Sequence, residues 1–180
     1  MLIQNIHGLM KVFLNLMRSY FGISHRRIEL NEENKLNVFE QLKIDEGIKY
    51  EVYKDHLGYP TFGVGHLVTE SDPENGKDVG FEVSEERVWE VFQQDLQVSI
   101  MECCALYETG TFEAFPGEVQ EILVNMMFNM GRTRLSKFRK MNSALIEGDW
   151  KTAAIEGRDS RWHKQVTNRA ERLMVRLENV

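Results

Sequence analysis

At Gly47 the apolar periodicity of this 180-residue chain changes from helical to extended, and that change limits the fold class more than any other feature. Before it, Asn31 is placed to cap a helix, with Glu32 and Glu33 in the first turn, where the helix dipole favours negative charge. Leu36, Phe39 and Leu42 give this helix an apolar face, and Gly47 gives it a C-terminal stop. Beyond it, Tyr50, Val52 and Lys54 alternate with Glu51, Tyr53 and Asp55, as in a strand. His56-Leu57-Gly58 supplies a turn, and Tyr59 to His66 reads as the returning strand. Pro60 puts that strand, or its first residues, at a sheet edge.

The rest of the chain is helical in pattern. Ser84 caps an apolar-periodic run through Val88, Phe92 and Leu96. Val119 to Met130 is apolar enough to be a central buried helix ended by Gly131, its methionines core filler rather than a ligand surface. Phe138 to Ile146, Asp149 to Glu156 and Thr167 to Leu177 add three helices, with Asp149 and Thr167 as N-caps. The expectation is an α+β fold: a small hairpin-containing lobe over about 44–83, a larger helical lobe over about 84–180, and a cleft between them. The two cysteines, Cys103 and Cys104, are adjacent, bridge only with strain and read as reduced thiols. No zinc-site spacing occurs. No metal, cofactor or nucleic-acid partner is expected.

Charge is unevenly spread within the net −6. Residues 1–30 carry +3, residues 31–128 carry −15 and residues 129–180 carry +6. A basic face meeting an anionic partner and solvated helix faces of differing sign both account for this. In the first thirty residues Ile6, Leu9, Phe13, Leu16 and Tyr20 recur at helical spacing. Lys11 and Arg18 break the run far below the roughly 20 apolar residues needed to span a bilayer. The pattern also lacks the basic start and small-residue cleavage site of a signal peptide. What remains is a basic amphipathic helical extension, joined through Gly22 to a domain over 31–180. It can dock on a partner protein, pack on its own domain or lie on a membrane surface.

Advancing about 100° per residue puts Glu46 in the middle of the apolar face of the first helix. Burial there disfavours the charged carboxylate, which suits a group that donates a proton near neutral pH. Pairing with a basic residue that closes the helix is the other reading. On the returning strand Thr61, Gly63 and Gly65 share one face, which the two glycines clear for a ligand, unless they mark only a bulged, twisted strand. With Asp55 at the hairpin tip, the segment holds two carboxyl groups in unlike settings, the requirement of acid–base glycosidic cleavage.

The order Glu46-Gly47, Asp55 nine residues on, Thr61 six further and then Gly63-Val64-Gly65-His66 resembles the T-even bacteriophage lysozymes, muramidases that cut bacterial peptidoglycan. "NMMFNMG" at 125–131 and "SRWHKQVTNRAER" at 160–172 are similar to that family's core helix and closing helices, and the likeness runs over about residues 34–180. The Gly148–Ser160 run is most similar to the lysozyme domain of the phage tail-tip protein, a branch of the family. The resemblance implies cleavage of β-1,4 bonds between N-acetylmuramic acid and N-acetylglucosamine, with inversion, which needs carboxyl groups roughly 6.5–9.5 Å apart. It implies that Glu46 is the general acid, Asp55 the carboxylate that orients or activates water, and Thr61 the residue that holds that water. Arg169 matches an arginine that pairs with the glutamate, and His66 a structural histidine paired with Asp95. Gly63, Gly65, Leu67, Phe128, Asn129 and Trp162 match cleft or core positions.

Two departures stand out. The segment from His66 to Asp95 is shorter than the family pattern, and the chain is acidic where many phage lysozymes are basic. A lytic transglycosylase, which needs one acid and no water-directing aspartate, and a non-catalytic peptidoglycan-binding module are the alternatives. Both roles in a phage fit: an endolysin held in the host cytoplasm before release to the periplasm, or a lysozyme of the virion tail attached through residues 1–30. A phage structural protein is the first choice of partner for that extension, with Leu9, Phe13, Leu16 and Tyr20 in a groove, and a membrane surface the second.

Overall fold

The computed structural model describes residues 29–180, so the helix expected within residues 1–30 lies, but for Glu29 and Leu30, outside the described residues. In chain order the elements are helix α1 (Glu32–Glu46), strands β1 (Lys49–Lys54), β2 (Pro60–Gly63) and β3 (His66–Leu67), and helix α2 (Glu85–Tyr107). Then follow helices α3 (Thr109–Ala114), α4 (Gly117–Met130), α5 (Arg132–Leu135), α6 (Arg139–Glu147), α7 (Trp150–Arg158), α8 (Arg161–Gln165) and α9 (Thr167–Glu178). A small antiparallel sheet with helices before and after it is an α+β fold. The chain divides into two compact units: Phe39–Gln97, and Val98–Val180 with the start of α1 through Val38.

In the sheet-bearing unit the strand order is β1-β2-β3, antiparallel throughout. Tyr53 pairs with Thr61, and Thr61 with Leu67, so these three share one face across the sheet. The other face is core: Val52, Phe62, Val68, Val83, Val88 and Val91 are buried together, with Ile48 against them. The short segment after β3 returns along the outer edge of β1. Val52 N–H donates to Phe81 O at 2.9 Å, Gly80 N–H to Val52 O at 2.8 Å and Val83 N–H to Tyr50 O at 2.9 Å. Those bonds satisfy an edge that would otherwise template pairing with another chain. Phe39 of α1 meets Trp89 and Phe92 of α2 with ring centroids 4.9 and 4.6 Å apart.

In the helical unit α4 is buried along nearly its whole length, Met126 and Met127 included. At Gly157 of α7 a Cβ would lie 2.1 Å from Met174 Sδ of α9, so glycine is what lets these two helices approach. Arg176 of α9 donates to Glu118 and to the buried Glu121 of α4, and Glu121 also accepts from Asn37 of α1 at 3.1 Å. Among the described residues no helix is long and apolar enough to cross a membrane.

Several local expectations are met. Asn31 Oδ1 accepts from Asn34 N–H at 2.8 Å, Ser84 Oγ from Arg87 N–H at 3.2 Å and Asp149 Oδ1 from Thr152 N–H at 3.0 Å. Others need correction. Thr167 is the first helical residue of α9 rather than its cap; Val166 holds that place without a side-chain bond. Leu36 is half exposed, because the buried row of α1 is Lys35, Val38 and Leu42. Pro60 begins β2, which lies between two strands, so only its first-residue position is compatible with the missing N–H.

The candidate active site

Glu46 is the last residue of α1, and Gly47 follows with φ +76°, its N–H bonded to Lys43 O at 3.0 Å. The glycine takes the left-handed conformation that ends the helix. Glu46 continues the Val38–Leu42 row by one turn, but the helix stops there and the side chain is exposed. The burial expected for this carboxyl group is therefore absent.

Asp55 follows β1 at the start of the hairpin turn. Its N–H donates to Tyr59 O at 2.9 Å, and Gly58, at φ +88°, donates to Asp55 O at 3.0 Å. The carboxylate is fixed through one oxygen: Oδ1 accepts from Leu57 N–H at 2.8 Å and from Tyr59 N–H at 2.9 Å. Oδ2 is closed to solvent and has no hydrogen-bond partner among the described residues. Thr61 is buried, and its hydroxyl donates to Tyr59 O at 3.1 Å, which leaves the oxygen's lone pairs as acceptors. The turn thus orients both Asp55 and Thr61 through Tyr59.

The glycines serve a different purpose from the one expected. The returning strand is broken: β2 ends at Gly63, β3 starts at His66, and Phe62 pairs with His66 across Gly63-Val64-Gly65. Gly63 and Gly65 have φ of +61° and +75°, so they are turn glycines rather than a cleared strand face. A Cβ on Gly63 would lie 3.2 Å from Val88 Cγ1, so this glycine also admits α2.

His66 is buried between two carboxylates. Its Nδ1 is 2.8 Å from Asp95 Oδ2 and its Nε2 3.3 Å from Asp72 Oδ2. Asp72 Oδ2 also accepts from Thr69 N–H at 2.7 Å and Thr69 Oγ1 at 2.6 Å, and its Oδ1 from Arg87 at 3.0 Å. Burial works to raise the Asp72 carboxyl, and the hydrogen bonds from His66 and Thr69 outweigh it, holding the group well below the usual carboxylate range. Arg87 further grips the buried Glu74 through Nε at 3.0 Å. This network pins the short 69–79 loop onto α2. Sequence spacing offered no signal for Asp72, whose position depends on how that loop folds.

Tyr53 was also missed. It is half-buried on β1, across from Thr61 and two residues before Asp55, with Lys49 Nζ 4.3 Å from its ring centroid. Burial pushes its phenol up, and the charges of Asp55 and Glu46 push it further. Both carboxylates therefore act on one side chain. The usable sequence signal was the i, i+2 spacing of Tyr53 and Asp55 on a strand.

The remaining expected residues lie in the helical unit. Arg169 is buried and donates through Nε to Asn125 Oδ1 at 2.9 Å and through Nη2 to Asn125 O at 3.0 Å. Asn129 Oδ1 accepts from Trp162 Nε1 at 2.8 Å, and both are buried, as is Phe128. Leu67 stands beside Thr61 on β3. No group of residues suited to hold a metal ion occurs among the described residues.

The chain is 32% identical over 162 residues to the pre-baseplate central spike protein Gp5 of Enterobacteria phage T4, covering 81% of this chain and 28% of that protein. It is 31% identical over 155 residues to the probable T4-type lysozyme 2 of Dictyostelium discoideum, covering 75% of this chain and 89% of the relative. The probable T4-type lysozyme 1 of the same organism is 28% identical over 159 residues, with 79% and 94% covered. The phage lysozyme family model matches residues 43–179, which take in the helix end, the hairpin and the helices beyond, and on this ground the chain belongs to the phage lysozyme family.

Proposed function

We propose that the chain is a muramidase that hydrolyses the β-1,4 bond between N-acetylmuramic acid and N-acetylglucosamine in bacterial peptidoglycan, with inversion. The observation that carries this is the hairpin turn that holds Asp55 and Thr61: Asp55 Oδ1 accepts from the Leu57 and Tyr59 amides, and the Thr61 hydroxyl donates to Tyr59 O. That geometry suits a fixed carboxylate and an accepting hydroxyl that together direct an attacking water. Glu46, exposed at a helix end, donates its proton to the departing glycosidic oxygen. Water held by Thr61 attacks the anomeric carbon from the opposite face, and its proton passes to Asp55. The glycosidic C–O bond breaks as the new one forms, so a β bond yields an α hemiacetal. Arg169 is carried over from the family as a supporting cation, and Gly63, Gly65, Leu67, Phe128, Asn129 and Trp162 as residues that shape the substrate's surroundings. The likeness to Gp5, named as a baseplate spike protein, supports a virion-tail role over free release from the host cytoplasm, with residues 1–30 as the attachment.

Digestion of purified peptidoglycan in ¹⁸O-water tests the reaction. The expected product is a reducing N-acetylmuramic acid end that carries ¹⁸O and forms first as the α anomer. A 1,6-anhydro end would mean a transglycosylase, and no new ends would mean a binding module.

A further inference from the structure

Three hydrogen bonds tie the main chain of Tyr59 to two residues that the proposed reaction uses. Its N–H donates to Asp55 Oδ1 at 2.9 Å, and its carbonyl oxygen accepts from Asp55 N–H at 2.9 Å and from the Thr61 hydroxyl at 3.1 Å. Pro60 follows and confines Tyr59 to extended backbone. Tyr59 thus continues the register of β1 and β2: Tyr53 faces Thr61, Lys54 faces Pro60 and, one step on, Asp55 faces Tyr59. Residues that face each other share a side of the sheet, and so do residues two apart along a strand. Tyr59 is therefore placed on the side that carries Asp55, Thr61 and Leu67, opposite the core side of Val52 and Phe62.

Two tyrosines stand on this side and differ in exposure. Tyr53 is half-buried, with Lys49 Nζ over its ring, whereas Tyr59 is 50% exposed at the hairpin end. An exposed ring on a main chain that is already fixed loses little conformational freedom when a ligand covers it. We propose that Tyr59 is a substrate-binding residue: its exposed ring is the platform on which one pyranose ring of the glycan strand stacks, beside the bond that is cut. The inference rests on the muramidase reading given above. A β-linked pyranose presents its axial C–H bonds on a flat apolar face and its hydroxyls at the edge. A tyrosine ring offers the matching apolar face, and its phenol oxygen stays at the wet rim. This contact touches no reacting atom, so it holds ground state and transition state alike.

Substitutions at Tyr59 leave its three main-chain bonds available, so they separate the ring from the turn. With soluble peptidoglycan fragments and the full chain, Tyr59→Ala should raise KM about tenfold, the loss of one well-placed aromatic contact, with kcat within about twofold. Calorimetric binding of the same fragments to full-length Glu46→Gln should weaken by the same factor when Tyr59→Ala is added. Tyr59→Phe and Tyr59→Trp should keep KM within about twofold of the wild-type chain, and Tyr59→Leu, apolar but not flat, should behave like Tyr59→Ala. The melting temperatures should stay within about 2 °C. Unchanged KM and affinity in Tyr59→Ala, alongside an inactive Glu46→Gln, would overturn the proposal and leave the muramidase reading standing. A fall in kcat with KM unmoved would also overturn it, because the effect would then lie on Asp55 or Thr61 rather than on a bound sugar. Wild-type KM in Tyr59→Leu would overturn it as well, because a flat ring would not be needed. Full activity in Glu46→Gln would overturn the underlying reading, and this proposal with it.

Discussion

At the scale of single residues, the candidate site combines groups whose place in local structure was legible with groups whose setting was not. Residue type and spacing pointed to Glu46, Asp55 and Thr61, because a helix stop, a turn and a strand are local events. The exposure of Glu46 was not legible, since a helical wheel cannot tell where the last turn leaves its neighbours behind. Nor was the second carboxylate on His66, because Asp72 reaches it through a loop fold with no periodic signal. That carboxylate carries a pH prediction. Asp72 is held below its unfolded value of about 3.9. Its contribution to stability is therefore present above that value and is lost as pH falls through the depressed folded one. His66, Thr69 and Arg87 face it directly, and Asp95 lies on the far side of the histidine. Asp72→Asn should cost about 2 kcal/mol at pH 7 and somewhat less at pH 3, where the unfolded carboxyl is mostly protonated and the folded one is not. Denaturant melts at the two pH values check this; an equal cost at both would show that Asp72 is not ionised in its native role.

At the scale of elements, three of the four expected caps were legible, Thr167 being the exception, and the glycines of the 63–65 turn were not. Asn31, Ser84 and Asp149 act within three residues of themselves, so their identity sufficed. Helices α3, α5 and α8 run six, four and five residues, too short to display a period. Gly63 and Gly65 fit an alternating strand and a tight turn equally well on paper, and only the Phe62–His66 pairing separates the two. Their substitution should differ accordingly. Gly65→Ala meets open space and should cost about 1–2 kcal/mol for its left-handed backbone. Gly63→Ala adds a clash with Val88 and should cost about 1–3 kcal/mol more, seen as a lower urea midpoint. Equal costs would contradict the turn-and-packing account. Glu108, which precedes α3, has φ 64° and ψ 143°, a region close to glycine-only. Glu108→Gly should raise stability by about 1 kcal/mol, and a loss in the same urea titration would count against strain at this residue.

At the scale of the whole molecule, the α+β class followed from one change of period, and the family from the order of a few residues. The edge pairing by residues 80–83 was not legible, because it joins β1 to a segment with no strand pattern of its own. Leu30 is buried and Glu29 pairs with Lys35 at 3.1 Å, so a truncation meant to spare the catalytic domain should remove residues 1–28 and keep these two. That truncated protein should hydrolyse soluble wall fragments nearly as well as the full chain and lose co-purification with a phage tail protein. A truncated protein that melts much earlier would place the segment in the core and end the docking proposal. The central claim is that the chain cuts peptidoglycan with Glu46 as its acid. The most direct measurement is the rate of reducing-end release from purified peptidoglycan by full-length Glu46→Gln, which keeps the side chain's size and removes the proton. The account predicts a fall of at least about 100-fold with the melting temperature unchanged, and a folded Glu46→Gln protein that releases ends at a near-normal rate would contradict it.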